Sequence, residues 1–124
     1  MIRVGILLCL GTFFLLNGIA RGADFPVSEA SAECIDCHAS VHPGIVHDWQ
    51  NSRHAKITPQ DGLKIDGPAR KISSKNVPAN LKNFVVGCAE CHTVNPKNHA
   101  DTFEHNGYDI HVVVSPKDCS TCHT

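Results

Sequence analysis

Apolar and polar positions divide the chain into an apolar leader and a longer mixed part. The leader has Arg3, an apolar run over residues 4–16 and small residues over 18–22. Beyond it, short stretches with apolar residues at helical spacing alternate with polar stretches rich in Gly and Pro. This pattern predicts a mainly α fold with extensive coil.

Four helices are expected from this spacing and from capping signals. Ser28 is the expected N-cap of the first helix, and Pro59 is expected to stop the second. A Ser-Pro-x-Asp capping signature begins the fourth helix at Ser115. The predicted helical ranges are 28–39, 44–57, 79–92 and a short segment from 115 onwards.

The remaining stretches are expected to be irregular. Residues 58–77 predict a surface loop with at most one short turn, and residues 95–107 predict a second polar loop. Residues 110–114 are apolar and β-branched enough for a short extended piece. Gly87 is expected to let backbone approach a bulky group closely.

One five-residue pattern, Cys-x-x-Cys-His, occurs three times. It reads CIDCH at residues 34–38, CAECH at 88–92 and CSTCH at 119–123. Two thiols three positions apart reach the two vinyl groups along one porphyrin edge, and the next imidazole lies under the iron. Each copy therefore predicts one covalently attached haem c. Its thioether residues are Cys34, Cys37, Cys88, Cys91, Cys119 and Cys122, and its proximal iron ligands are His38, His92 and His123.

A single copy of the pattern would also fit a zinc site, a thioredoxin-like redox pair or a disulfide framework. None of these three kinds of site requires a His after the second Cys every time. Three copies favour the haem interpretation, with short haem-bearing helices packed around porphyrins.

The leader predicts export. Residues 1–22 have the layout of a secretory signal peptide, with cleavage after Gly22 and a haem-bearing domain over residues 23–124. An uncleaved anchor is the minor alternative, because the apolar run is shorter than the roughly 20 residues that span a bilayer. Cys9, the one cysteine outside the motifs, would leave with the leader. Attachment of haem c outside the bacterial cytoplasm agrees with a periplasmic or otherwise exported protein.

Six further histidines are candidates for the distal side of three irons. Among nine histidines this surplus favours bis-histidine ligation, which closes both faces of the iron and suits electron transfer. A solvated surface histidine is the alternative for each candidate. His54 is favoured because it is expected deep on the second helix, while His105 and His111 precede the third motif. His42, His47 and His99 are left open.

Charge and composition limit the classes of binding partner that the sequence predicts. With 11 basic and 12 acidic residues the formal net charge is −1, and no basic stripe or aromatic platform predicts nucleic-acid binding. Expected partners are redox proteins, either other cytochromes or quinone-linked carriers. No stable membrane anchor is expected after cleavage, and a homo-oligomer is left open.

The order of motifs resembles the N-terminal portion of the hydroxylamine oxidoreductase-like octahaem cytochromes c. The first CxxCH is followed by PGIVHDW and SRHA around Trp49 and His54, then by VGCAECH, a His-bearing loop and a further CxxCH. The resemblance covers roughly residues 33–124. It implies that His54 and a loop histidine matching His105 are distal ligands.

The same resemblance implies eight haems in a whole family member, seven of them bis-histidine and one with an open iron where hydroxylamine or nitrite reacts. That catalytic haem lies on a later motif, so this chain is expected to be part of a longer oxidoreductase and to contain no catalytic haem. Tyr108, the one tyrosine, matches no porphyrin-crosslinking role. The alternatives are a stand-alone trihaem carrier or haem-wire subunit, and a chain in which one iron is five-coordinate and reactive.

Overall fold

The computed structural model describes residues 26–124. The predicted signal peptide and Cys9 lie outside the described residues. Within them the chain is largely helical with coil, as the sequence predicts. The elements are α1 (Glu29–Val41), α2 (Pro43–Asn51), α3 (Pro59–Leu63), a 3₁₀ helix (Gly67–Ala69), α4 (Cys88–His92), a second 3₁₀ helix (Pro96–Asn98), β1 (Phe103–His105), β2 (Tyr108–Ile110) and α5 (Pro116–Cys119).

The first predicted helix is confirmed and is two residues longer at its end. Ser28 caps α1, because its side-chain oxygen accepts the N–H of Ser31 at 3.2 Å. The N–H of His42 bonds the His38 carbonyl at 2.8 Å and closes the last turn. Pro43 then begins α2, since proline is tolerated at the first position of a helix.

The second predicted helix was too long. α2 ends at Asn51, and residues 53–56 form a turn, so His54 follows the helix instead of lying on it. Pro59 does not stop α2; it begins α3, whose cap Thr58 accepts the Asp61 N–H at 3.2 Å. Beyond this end the backbone bonds a distant segment, because the His54 carbonyl accepts a hydrogen bond from the Val86 N–H at 3.2 Å. The Trp49 indole also donates to the Val86 carbonyl, at 2.9 Å.

The third predicted helix was wrong except for its final turn. Only α4 is helical there, and residues 85–87 are irregular and follow a series of turns. Val85 is fully buried, and its N–H donates to the Pro26 carbonyl at 2.9 Å. The apolar spacing of residues 79–92 therefore serves packing between separate segments.

The second predicted loop, residues 95–107, contains the first strand and the turn of a β-hairpin whose second strand follows it. β1 and β2 pair antiparallel, with His105 opposite Tyr108. Asn106 and Gly107 join them with positive φ angles of 53° and 84°, the conformation of a two-residue hairpin turn. The Tyr108 hydroxyl donates to Glu33 on α1 at 3.0 Å and ties the hairpin to that helix. The predicted extended piece over 110–114 is observed only at its first residue.

The apolar core of the described part is small. Its buried hydrophobic residues are Val46, Val77, Val85 and Ala89. Gly87 permits a close contact between helices, because a Cβ there would lie 2.5 Å from Oγ and 2.7 Å from Cβ of Ser31. In residues 26–124 no helix is both long and apolar enough to cross a membrane.

Candidate haem-binding sites

All three Cys-x-x-Cys-His motifs lie on helical turns. The first is on α1 and the second forms α4. The third begins at the last residue of α5 and continues the turn, since the His123 N–H bonds the Cys119 carbonyl at 2.9 Å. Positions i, i+3 and i+4 of a helix share a face. Each motif therefore places two thiols and an imidazole on one side of its turn.

The Glu90 carboxylate joins the first two motifs. One of its oxygens accepts hydrogen bonds from the Ser31 hydroxyl at 2.6 Å and from the Gly87 N–H at 2.9 Å. The other oxygen accepts a hydrogen bond from the Ser28 hydroxyl. Ser31 Oγ in turn accepts the Ala89 N–H at 2.9 Å. The bond from Gly87 caps the helix that carries Glu90, and the bonds from the two serines give the carboxylate a second role. Its second role could not be read from spacing, because its partners lie 59 and 62 positions away.

A cavity of about 380 Å³ opens beside the third motif. Cys119, Cys122 and His123 line it, and its volume is in the range of small-molecule and cofactor sites. Most of its wall is apolar and includes Ile57, Ile65, Ile72, Leu81, Val86 and Val114. These residue types fit a porphyrin face.

The prediction of a surface loop over 58–77 was wrong, because this segment contains α3 and the first 3₁₀ helix and supplies part of that wall. Ile65 and Ile72 belong to it, and its Ser73 and Ser74 N–H groups both donate to the Cys122 carbonyl, at 3.2 and 3.1 Å. The long insertion between the first two motifs is therefore structural and builds the surroundings of the third.

His54 lies across this cavity from His123. Their ring centroids are 6.1 Å apart. The His54 carbonyl accepts the Val86 N–H at 3.2 Å, which fixes the turn that carries the ring. Burial lowers the pKa of His54, and nearby His123 adds to the same direction. The neutral ring that binds a metal is thereby favoured.

The 6.1 Å separation of these two rings has a direct interpretation. With a metal–nitrogen bond of about 2 Å, two imidazoles on opposite faces of one metal place their ring centroids about 6 Å apart. His38 and His105 are separated by 6.2 Å, and His92 and His111 by 6.1 Å. Each predicted proximal histidine thus has one predicted distal histidine at this separation.

His111 differs from the other two in orientation. Its ring is fully buried, with Nδ1 3.1 Å from the Val113 carbonyl and Nε2 2.9 Å from the Val94 carbonyl. Both nitrogens are therefore engaged, and ligation of an iron requires the ring to turn. The His111 carbonyl accepts from His92 Nδ1 at 2.8 Å. That bond orients His92 and leaves its Nε2 for a metal.

The three histidines left open by the sequence have separate surroundings. The His99 ring stacks on His111 with centroids 3.5 Å apart, and its Nε2 lies 3.1 Å from the Asp118 carboxylate. His42 Nδ1 is 3.2 Å from His38 Nδ1. His47 is exposed and bonds Asn51.

Within residues 26–124 the six motif cysteines form no disulfide. Burial raises the pKa of the Cys91 thiol to about 11, which disfavours the thiolate that redox chemistry requires. The one metal-like cluster of the described part is His99, His111 and Asp118, and it includes no cysteine.

The chain resembles a multihaem protein. Its structure matches a solved structure described as "Hypothetical multiheme protein" with a TM-score of 0.76 and 44% sequence identity. The match covers 85% of this chain and 20% of the other, so the chain spans about a fifth of the length of that protein. A scan against protein-family models finds no match.

Proposed function

We propose that this chain is a multihaem c-type cytochrome that transfers electrons through three covalently attached haems. The cavity at the third motif carries the proposal, because it combines two thiols, a proximal imidazole, a facing imidazole and an apolar wall. Similarity to a multihaem protein at 44% identity supports the same conclusion.

Each motif has a defined task in this proposal. Its two cysteines form the thioether links, and its histidine binds the iron from one side. His54 is the proposed distal ligand at His123, and His105 at His38. His111 is the proposed distal ligand at His92, although it has the least favourable ring orientation of the three. Bound haem supplies a one-electron couple whose potential depends on axial ligands, burial and nearby charge.

The protein's own contribution is rigid placement. The Glu90 carboxylate holds the first and second motifs together, and the backbone around Ser73 holds the wall against the third. His54 and His123, and the corresponding histidine pairs, would leave a bound iron no open position, so this part of the chain is proposed to conduct electrons and to bind no substrate.

The wider setting is proposed from the sequence. The leader supports export to the periplasm, and the motif order supports membership of the hydroxylamine oxidoreductase-like octahaem cytochromes. In such a protein the three haems would exchange electrons with a catalytic haem on a later motif. Other cytochromes or quinone-linked carriers are the proposed redox partners.

Haem counting tests the proposal. Full-length protein exported by a host able to attach haem c should give a pyridine haemochrome signal and a mass that correspond to one porphyrin on each motif. Cys119→Ala with Cys122→Ala should lower the count over residues 26–124 by one. A colourless wild-type product of unmodified mass would refute the proposal.

A further inference from the structure

Two cationic side chains meet at the cavity of the third motif. Arg53 and Lys71 both line it. Arg53 Nη2 donates to the Ala69 carbonyl at 3.3 Å, and Lys71 Nζ donates to the Pro68 carbonyl at 3.0 Å. Pro68 and Ala69 are consecutive residues of one 3₁₀ helix. This helix therefore holds the Arg53 guanidinium and the Lys71 ammonium at neighbouring positions.

Neither cation has a carboxylate partner among residues 26–124. The ion pairs of this part of the chain join His47 to Asp48, Lys64 to Asp61 and His99 to Asp118. A backbone carbonyl uses one donor of each side chain and leaves the guanidinium four others and the ammonium two.

The acidic residues of the cavity are engaged elsewhere. Glu90 accepts bonds from Ser28, Ser31 and Gly87. Asp118 accepts bonds from Ser115, Asn95 and His99. The cavity therefore has unmatched positive charge beside an apolar wall, which suits a ligand that is apolar over its face and anionic at one edge.

We infer that Arg53 and Lys71 bind the propionate groups of the haem carried by Cys119 and Cys122. This inference rests on the proposed function, since it assigns a subsite to the same haem. Guanidinium and ammonium groups form charge-assisted hydrogen bonds with carboxylates, and Arg does so with two parallel bonds. Arg53 directly precedes His54, so one short turn would supply both a distal ligand and a propionate contact.

The reduction potential of the third haem tests the inference. Reduction adds an electron, so cations near the porphyrin stabilise the reduced state. R53Q/K71Q should shift the reduction equilibrium of this haem towards the oxidised form by about three- to tenfold, where tenfold corresponds to 59 mV for one electron. Spectroelectrochemical titration of the full-length holoprotein measures the shift. The transition that belongs to the third haem is the one that disappears from the titration of the Cys119→Ala/Cys122→Ala variant.

Charge-preserving and remote variants provide the controls. R53K/K71R should stay within about twofold of the wild type, and so should K75Q, which removes an exposed cation of the same segment outside the cavity. If R53Q/K71Q fails to mature, R53Q and K71Q alone should each shift the equilibrium in the same direction.

Two failures are distinguishable. If the wild type carries haem on Cys119 and Cys122 but the potential does not respond to loss of either cation, the propionate subsite is wrong and the proposed function stands. If the mass of the wild type shows no haem on these cysteines, the proposed function itself is wrong.

Discussion

Among single residues, His54 shows most clearly how position gives a side chain its role. It is one of six histidines outside the motifs, and nothing in its own chemistry separates it from His47. Both residues are exposed, but His47 bonds Asn51 on its own helix, whereas the turn that carries His54 is bonded by Val86 and places its ring 6.1 Å from that of His123. The difference is one of backbone placement.

Replacement of His54 should change the spin state of one haem. His54→Ala should convert one of the three haems attached within residues 26–124 from a six-coordinate low-spin to a high-spin form, because one axial ligand is lost. Electron paramagnetic resonance and visible spectra of the full-length holoprotein measure this fraction. His47→Ala is the control and should leave all three haems low-spin. Unchanged spectra for His54→Ala would show that this imidazole is not a ligand.

At the level of secondary-structure elements, the contact between α1 and α4 relates two motifs. Ser31 is fully buried in this contact, and Gly87 allows the two helices to approach. The hydrogen bonds of Glu90 and the close approach of Gly87 to Ser31 support each other, since both require α1 and α4 to lie a short distance apart.

A methyl group at position 87 should disturb this contact. Gly87→Ala should lower the free energy of unfolding by about 1–3 kcal/mol, the usual cost of overpacking. Gly44→Ala is a matched control, because nothing lies within 4 Å of its Cβ position and its helix should gain about 0.5–1 kcal/mol. Guanidinium denaturation followed by circular dichroism measures both. Equal effects of the two substitutions would contradict the close contact.

The start of α5 should make stability depend on pH. The Ser115 hydroxyl and N–H, supported by His99 and Asn95, hold the pKa of Asp118 below its ordinary value. A carboxyl whose pKa is lowered on folding contributes stability above its unfolded pKa of about 4. That contribution is lost as the pH falls through the folded pKa.

The expected outcome is a pH-dependent difference between variants. Asp118→Asn should be less stable than the wild type at pH 7, and the difference should shrink as the pH is lowered below about 4. Denaturation midpoints across this range measure it. Asp48→Asn is the control, since its side chain is 89% exposed, and it should show little difference at any pH. A difference for Asp118→Asn that is constant with pH would exclude the carboxylate as its cause.

For the whole molecule, the small core means that folding should depend on haem. Four apolar side chains are buried among residues 26–124, which is a weak hydrophobic core for about 100 residues. The large cavity at the third motif leaves further apolar wall without packing partners. Three porphyrins would cover such surfaces and would join the elements to one another.

Removal of every attachment site should therefore prevent folding. A variant with all six motif cysteines changed to Ala should give a far-UV circular dichroism spectrum dominated by coil and no cooperative thermal transition. The wild-type holoprotein, prepared in the same way, should melt cooperatively. Cooperative melting of the colourless variant would show that the polypeptide forms its own sufficient core.

The sequence predictions were correct where the deciding hydrogen bonds are local and wrong where they join distant parts of the chain. Ser28 and Ser115 were correct as helix starts because a cap bonds within three residues of itself. The predicted ranges 44–57 and 79–92 failed because Val85 and Val86 bond distant segments in place of continuing a helix. The Asn106-Gly107 turn was missed although it is a strong short-range hairpin signal.

The sequence by itself determined the spacing of thiols and imidazole in the three motifs, and spacing within five residues suffices to predict a covalent haem. Only the tertiary structure decided which histidine faces which motif, that residues 58–77 form a wall of the third site, and that Glu90 joins the first two. Each of these contacts connects residues far apart in the chain, and such distances are set by packing of the whole and not by local spacing.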